Sequence, residues 1–259
     1  MKAAVIYNFN EPLVIEKLYL QHKCHVGQVL VEVRSSGICG AQLGHISGVK
    51  IKKEFLPCLL GHEGGAKVLE VGEGVTTVSP GDRVVMHWRK GDGIESEFPK
   101  YVSESSGKMV GGGLVTTFNE MAIVSENRVT KIDDDIPYDV AALMGCSVTT
   151  GLGIINNEAK LKIGQSVAIF VSGNPIIAID IHDHKLELAR EFGATHTINT
   201  SQEDVRESIK KIVGSSGVDV FIDTTGHTEL IEKACDMTTG GGKTIMVGQP
   251  KPNEHLTLH

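Results

Sequence analysis

The stretch that decides the fold reads VAIF at residues 167–170, VSGNP at 171–175 and IIAID at 176–180. Both outer runs are short, apolar and β-branched, and the second ends in Asp180, a pattern typical of buried parallel strands. Two parallel strands of one sheet need a crossover of at least about ten residues, usually a helix. The five residues between these runs cannot supply one, so a connecting element is missing from the sequence at this point.

Downstream of this stretch, helical and strand patterns alternate. THTIN follows a helical stretch over about 184–192, VDVFIDTTG follows one over 202–213, and KTIMVGQP follows one over 228–237. Alternation of this kind predicts an α/β fold with a doubly wound parallel sheet. The sequence stops at HLTLH, where another strand pattern begins, so we expect the sheet to be incomplete at its C-terminal end, although a short sheet could also close there.

Residues 1–150 have a different, mostly β pattern. Short alternating or apolar runs such as QVLVEVRSSG, AKVLEVGEGV and DRVVMHW are separated by Gly, Pro and Asp turns. This predicts a small barrel-like architecture with long loops. The segment TTGLGIINNEAKL is expected to form a helix that bridges the two parts. The predicted domains are therefore 1–150 and 151–259.

The composition is that of a globular protein in a reducing compartment. The chain is 41% hydrophobic, and its net charge of −7 comes from 32 acidic against 25 basic residues, which argues against a nucleic-acid surface. No apolar run approaches the ~18 residues of a membrane span, and no signal peptide is visible. Five scattered cysteines suit metal binding or core packing. We expect a cytoplasmic protein without nucleic-acid or membrane partners.

Three separate segments carry candidate metal ligands. Cys39 lies in SSGICGAQLGH, His62 in LLGHEGG beside Glu63, and Cys146 in LMGCSVTTG. Thiolate and imidazole ligands suit Zn²⁺, and three protein ligands leave a fourth position for water or substrate. Spacing alone is a weak signal, because both cysteines could equally be small buried hydrophobic residues and His62 a loop histidine.

These segments, taken with GEGVTTVSPGDRV at 72–84, resemble the zinc-containing medium-chain alcohol dehydrogenases over essentially the whole chain and in the same order. The resemblance implies a GroES-like mostly-β catalytic domain followed by a Rossmann domain. It implies hydride transfer between an alcohol, or an aldehyde or ketone in reverse, and NAD. It also implies that Cys39, His62 and Cys146 bind one catalytic zinc and that Glu63 lies behind the metal as an alternate ligand.

The resemblance also assigns cofactor residues. Asp180 would hydrogen-bond the ribose hydroxyls of NAD and repel the 2′-phosphate of NADP. Lys185 would lie near the same ribose, and Thr150, Thr225 and Val247 would lie on the nicotinamide side. A solvated strand-end acid, or simple packing residues, would explain the same positions.

The glycine-rich fingerprint G-x-G-x-x-G of this family would fall between Phe170 and Ile176, where only Gly173 remains. Its glycines let backbone N–H groups approach the pyrophosphate at a helix N-terminus. Three interpretations stay open: loop residues that the sequence omits, a true deletion, or an antiparallel hairpin through S-G-N-P.

Several positions depart from the family pattern. Ala41 stands where a proton-passing Ser or Thr is usual, and Gln42 stands where an Asp usually orients the zinc histidine. Gln42 is expected to accept a hydrogen bond without carrying charge. Residues 87–110 contain no cysteine, so the lobe that holds a structural zinc is expected to be absent and one zinc per chain is predicted. Trp88 maps to an aromatic residue of the substrate pocket, although a core position is an equally good interpretation.

Two other functions on the same scaffold are considered as alternatives to an alcohol dehydrogenase. A catalytically silent zinc-binding protein on the same scaffold would explain the missing loop and the early end. A related reductase that acts on an enone is disfavoured, because such enzymes often lack the zinc ligands. The resemblance further implies a small-molecule alcohol or carbonyl substrate and a homo-oligomer, either a dimer or a tetramer.

Overall fold

The computed structural model describes residues 1–20, 23–162, 164–169 and 176–257. The chain divides into two compact units, Met1–Gly151 and Leu152–His259, one residue from the expected boundary. Among the described residues no single helix is long and apolar enough to cross a membrane. One bent pair, Tyr138–Met144 with Ser147–Ala159, meets that criterion by length and composition only.

The first unit is built mainly from strands. Their bounds are β1 Lys2–Ile6, β2 Val14–Leu20, β3 Gln28–Ser36, β4 Cys58–Leu59, β5 Glu63–Val71, β6 Arg83–His87, β7 Lys100–Ser103, β8 Met109–Gly111, β9 Met121–Ser125 and β10 Val129–Ile132. Five of them close into a barrel in the order β1-β2-β7-β8-β4. The others form a sheet in the order β10-β6-β5-β3-β9. The predicted barrel-like architecture is confirmed.

The core of this unit follows the alternation of its strands. Val29 and Val31, two residues apart in β3, are both fully buried in the cluster under the five-stranded sheet, as a period of two requires. In the barrel, Tyr101 is fully buried, and its hydroxyl oxygen accepts a hydrogen bond of 3.0 Å from the backbone N–H of Ile123.

Short helices connect these strands. They are α1 Gly40–Ile46, α2 Tyr138–Met144 and α3 Ser147–Gly153, with 3₁₀ turns at Lys53–Phe55 and Glu126–Arg128. Helix α2 approaches β5 so closely that a Cβ atom on Gly65 would lie 2.2 Å from the carbonyl oxygen of Tyr138. Glycine at this position therefore lets α2 pack directly on the strand that begins at Glu63.

The second unit alternates strands and helices. After a π-helical segment Ile154–Ala159, its elements are β11 Val167–Ile169, β12 Ile176–Asp180, α4 Asp183–Glu191, β13 His196–Asn199, α5 Val205–Val213, β14 Val218–Asp223, α6 Thr228–Asp236 and β15 Thr238–Met246. The sheet is parallel, with the order β13-β12-β11-β14-β15. This is the order of the first five strands of a dinucleotide-binding fold, and it confirms the predicted fold class.

The pairing of β11 with β12 corrects one interpretation. Val167 pairs with Ile176 and Ile169 with Ala178, so the two strands run parallel. The antiparallel hairpin considered for this stretch is therefore wrong, because a hairpin reverses the chain direction. The other two interpretations concern residues 170–175, which lie outside the described residues, and they stay predictions.

Helix ends in this unit have local causes. Helix α5 begins at Val205 rather than at 202, because the carboxylate of Asp204 accepts a hydrogen bond of 2.9 Å from the N–H of Glu207 and caps the helix there. It ends at Val213, and the next residue, Gly214, has a φ of 86°, a conformation that favours glycine. The predicted bridging helix is present as α3 and the π-helical segment, which stops at Lys160 in the left-handed region.

Candidate functional site

Four ligand-type side chains converge in the first unit. One ligand atom from each of Cys39, His62, Glu63 and Cys146 can be chosen so that all four lie within 4.8 Å of one another. The two Sγ atoms are 3.9 Å apart. Two sulfurs that share a tetrahedral zinc at about 2.3 Å each would lie about 3.8 Å apart. Nε2 of His62 is buried and has no hydrogen-bond partner among the described residues. The residues therefore fit a zinc ion.

Tight backbone turns bring these residues together. Cys39 lies between β3 and α1, and Cys146 lies between α2 and α3. His62 follows Gly61, which has a φ of 91° and whose added Cβ would lie 2.1 Å from Oγ1 of Thr117. Only glycine fits this turn, and the turn directs His62 toward the two cysteines.

Gln42 contacts both His62 and the backbone before it. Gln42 is only 3% exposed. Its Oε1 accepts a hydrogen bond of 2.9 Å from the N–H of Gly61, and its Nε2 donates one of 2.7 Å to Nδ1 of His62. Gln42 thus accepts a hydrogen bond, but from the backbone of Gly61, and it presents its amide nitrogen to His62.

Ser147 fixes the side chain of Glu63, the first residue of β5. Glu63 is 3% exposed, and its Oε2 accepts hydrogen bonds of 3.2 Å and 3.3 Å from the backbone N–H and the hydroxyl of Ser147. Sequence reasoning missed Ser147. The signal was its place at the start of α3, where backbone N–H groups lack partners inside the helix.

Burial sets the protonation of the metal-free site. It raises the pKa of the Cys146 thiol to about 11, and the nearby Cys39 and Glu63 add to this shift. Burial also lowers the pKa of His62, with further contributions from His45 and Lys50. Both side chains are thus neutral at pH 7 without metal, and a bound cation would favour the thiolate that zinc requires.

A cavity of about 390 Å³ adjoins His62 and Gln42. Its apolar lining includes Ile51, Phe55, Phe98 and Val115. Trp88 is not among the lining residues, and it is not a core residue either, since it is 49% exposed. Its assignment to the substrate pocket therefore stays a prediction.

Candidate cofactor residues lie at strand ends of the second unit. The Oδ1 of Asp180, the last residue of β12, accepts hydrogen bonds of 2.8 Å and 2.9 Å from the N–H groups of Ile181 and His182. Its Oδ2 lies 3.4 Å from Nζ of Lys185. Ligands of open α/β sheets bind at the carboxyl ends of the strands, and Asp180 lies at such an end.

Thr225 and Val247 meet around a residue that sequence reasoning missed. Asp223 is fully buried at the end of β14. Its Oδ1 accepts a hydrogen bond of 2.6 Å from the hydroxyl of Thr225, and its carbonyl oxygen accepts one of 2.7 Å from the N–H of Val247. Thr150 belongs to the first unit, where its Oγ1 lies 4.0 Å from Sγ of Cys146.

Comparison with known proteins assigns the chain to a family. Residues 163–259 match a zinc-binding dehydrogenase family, and residues 25–134 match the alcohol dehydrogenase GroES-like domain. The S-(hydroxymethyl)glutathione dehydrogenase of Escherichia coli is 32% identical over 290 aligned positions, which cover 95% of this chain and 77% of the relative. The chain belongs to the zinc-dependent medium-chain alcohol dehydrogenases.

Further alcohol dehydrogenases resemble it in sequence and structure. The S-(hydroxymethyl)glutathione dehydrogenase of Paracoccus denitrificans is 29% identical, over 95% of this chain and 78% of the relative. Benzyl alcohol dehydrogenase from Acinetobacter calcoaceticus superposes with a TM-score of 0.84 and 25% identity, covering 100% of this chain and 79% of the other. An alcohol dehydrogenase zinc-binding domain protein from Burkholderia ambifaria gives 0.87 and 26%, with the same coverage.

These findings confirm the expected family and the zinc-dependent alcohol oxidoreductase activity, with Zn²⁺ and NAD as cofactors and small alcohols as substrates. They do not favour a catalytically silent protein. The alignment with the S-(hydroxymethyl)glutathione dehydrogenase of Escherichia coli has 290 positions, whereas this chain has 259 residues, so the relative contains internal segments that this chain lacks. We expect such segments at 87–110 and at 170–175.

Proposed function

We propose that Cys39, His62 and Cys146 hold the one catalytic zinc of an NAD-dependent alcohol dehydrogenase. One observation carries the proposal: a buried imidazole nitrogen without a hydrogen-bond partner among the described residues lies beside two thiols whose Sγ atoms are 3.9 Å apart. A buried nitrogen that lacks a partner is costly, and a metal ion removes that cost. The same arrangement would be hard to explain as core packing alone.

When bound, zinc supplies Lewis-acid polarisation of the alcohol oxygen, and NAD supplies the hydride acceptor. The two cysteine thiolates and the neutral imidazole of His62 would hold the ion and would leave a position for the substrate. Ser147 fixes one oxygen of Glu63, so the carboxylate stays beside the centre as an alternate ligand. Ala41 has no hydroxyl and so could not pass on the substrate proton, which would have to leave by ordered water or by the cofactor ribose.

Asp180 supports the choice of NAD over NADP. Its Oδ2 is an acceptor for a ribose hydroxyl, and its charge would repel a 2′-phosphate. Lys185 lies beside the same carboxylate and would contact the ribose from the other side. Thr150, Thr225 and Val247 are assigned to the nicotinamide side, and Trp88 to the substrate pocket.

We also propose the partners, the cellular compartment and the oligomeric state of the enzyme. The acidic net charge of −7 supports a protein without nucleic-acid or membrane partners. Five cysteines without a disulfide among the described residues support the cytoplasm. A homo-oligomer, dimer or tetramer, follows from the family.

The test is reduction of NAD⁺ by benzyl alcohol and by S-(hydroxymethyl)glutathione, the substrates for which the relatives are named. Removal of zinc with a chelator should abolish the activity, and added zinc should restore it. His62→Ala should lose more than the roughly 10–100-fold that changes outside the ligand set cause. His196→Ala, at an exposed histidine of β13, is the matched control. Activity that persists without zinc would contradict the proposal.

A further inference from the structure

Gln42 forms hydrogen bonds with the backbone N–H of Gly61 and with the imidazole ring of His62. Its Oε1 accepts from the N–H of Gly61, and its Nε2 donates to Nδ1 of His62. The peptide group that carries the Gly61 N–H is held at its other end, because the carbonyl oxygen of Leu60 accepts a hydrogen bond of 3.1 Å from the N–H of Thr117. The N–H of Gly61 therefore stays directed at Gln42. The backbone N–H is always a donor, whereas each nitrogen of a neutral imidazole is either a donor or an acceptor.

This contact decides which nitrogen of His62 carries the proton. A neutral imidazole has one N–H, and Nδ1 can accept from Gln42 only if that proton is on Nε2. Nε2 is the buried nitrogen without a partner among the described residues, in the ring that lies with Cys39 and Cys146. A protonated nitrogen cannot bind a metal, so zinc binding through Nε2 requires the proton to move to Nδ1.

Once the proton of His62 is on Nδ1, it faces another hydrogen-bond donor. With Nδ1–H as a donor, it points at the amide NH₂ of Gln42. Rotating the amide by half a turn would offer its oxygen to His62 but would place the NH₂ against the N–H of Gly61. A glutamine has one acceptor side and one donor side, so either orientation opposes two donors.

We propose that Gln42 is a positioning residue that favours the metal-free tautomer of His62 and thereby weakens zinc binding at Cys39, His62 and Cys146. The inference rests on the proposed zinc site. A carboxylate at position 42 would remove the conflict, because its two oxygens can accept from Gly61 and from His62 at once. The cavity beside Gln42 leaves room for such a side chain to adjust.

Zinc affinity tests the proposal. Gln42→Glu in the full chain should tighten zinc binding by about 10–100-fold, the range by which partners of metal-binding histidines change affinity. Competition with a chromogenic chelator at fixed pH measures the dissociation constant. Gln28→Glu is the matched control, because Gln28 is a buried glutamine of the same unit, 1% exposed, with one donor and one acceptor partner. The control should lose stability without a change in zinc affinity.

The tautomer is measured independently and needs no variant. Long-range ¹H–¹⁵N correlation of metal-free wild-type protein should show the His62 proton on Nε2, and zinc loading should move it to Nδ1. A metal-free protein with the proton on Nδ1, or an unchanged zinc affinity in Gln42→Glu, would overturn the inference while leaving the zinc site intact. Failure of both proteins to bind zinc would instead overturn the proposed function.

Discussion

At the scale of single residues, two glycines make the space in which Glu63 lies. A Cβ atom on Gly37 would lie 2.6 Å from Cδ of Glu63, at the end of a flexible side chain. A Cβ atom on Gly145 would lie 2.2 Å from the carbonyl oxygen of Met86 and 2.9 Å from Cα of Glu63. The first contact can be relieved by a rotamer change, whereas the second cannot be relieved without moving backbone.

The two glycines should therefore respond differently to alanine. Gly37→Ala should push the Glu63 carboxylate off Ser147, lower alcohol oxidation and change the free energy of unfolding by about 1 kcal/mol or less. Gly145→Ala should cost about 1–3 kcal/mol through overpacking, with loss of the zinc site. Urea unfolding and zinc content measure both. Equal destabilisation by the two substitutions would show that the space around Glu63 is not limited in this way.

The sequence indicated the candidate metal ligands but not the hydrogen bonds that hold them. The segments around Cys39, His62 and Cys146 pointed to the metal ligands through their resemblance to a family. The donor role of Gln42 and the contact from Ser147 depend on which backbone N–H lies within reach. That information arises only when segments distant in sequence meet, so no local pattern carries it.

At the scale of elements, a buried carboxylate anchors the segment after Trp88, where the structural-zinc lobe of the family is expected to be absent. Glu126 is fully buried and accepts hydrogen bonds of 2.7 Å, 2.9 Å and 2.7 Å from the backbone N–H groups of Thr76, Thr77 and Ile94. Gly93 has a φ of 98°, and a Cβ there would lie 2.6 Å from Cδ of Glu126. One side chain thus ties together two loops.

Glu126 should make stability depend on acid pH. Burial alone would raise its pKa, but the backbone hydrogen bonds from Ile94, Thr76 and Thr77 outweigh burial and hold the pKa below its ordinary value of 4.5. The stabilisation is therefore present above pH 4.5 and is lost as pH falls through the lower folded value. Glu126→Gln should cost about 2 kcal/mol at pH 7, since bonds to a charged group are the strong ones.

Urea unfolding at several pH values checks this. The difference between wild type and Glu126→Gln should shrink as pH falls below 4.5, where the unfolded chain binds the proton first, and should level off below the lower folded pKa, where Glu126 is neutral in both states. Glu97→Gln, at an exposed position of the same segment, should change stability little at any pH. A wild-type advantage that stays constant down to pH 3 would mean that the charge of Glu126 is not the cause.

The elements were predicted better than their pairing. Helical periodicity located α4 and α6 within a residue or two, and the cap at Asp204 accounts for the later start of α5. Closure of the barrel depends on β1 pairing with β4 and on β4 pairing with β8, contacts between segments far apart in the chain. The short connection between β11 and β12 is, by itself, compatible with an antiparallel hairpin. The two strands nevertheless pair in parallel.

At the scale of the whole molecule, the candidate residues divide between the two units. The metal ligands belong to Met1–Gly151, together with Thr150. Asp180, Lys185, Thr225 and Val247 belong to Leu152–His259. Zinc binding and cofactor binding are therefore expected to be separable by substitution, and one zinc per chain is expected.

Asp180→Asn tests the proposed cofactor site in Leu152–His259. The amide keeps one oxygen for the N–H groups of Ile181 and His182 but replaces the oxygen that would accept from the ribose. Loss of a hydrogen bond to a charged group should weaken NAD binding by roughly 10–100-fold and leave zinc content unchanged. His62→Ala should lose zinc and keep its NAD affinity. Calorimetry and metal analysis give both quantities, with the exposed Asp236→Asn as control.

The wild-type chain provides the decisive comparison, because only six residues separate Ile169 from Ile176. The pyrophosphate contacts of a glycine-rich loop normally supply much of the affinity for a dinucleotide. Micromolar NAD binding would mean that other groups of the second unit provide an anion site. A chain that binds one zinc yet ignores millimolar NAD would contradict the NAD-dependent reaction. That result would favour a zinc protein that has kept the metal ligands of the family and lost its cofactor.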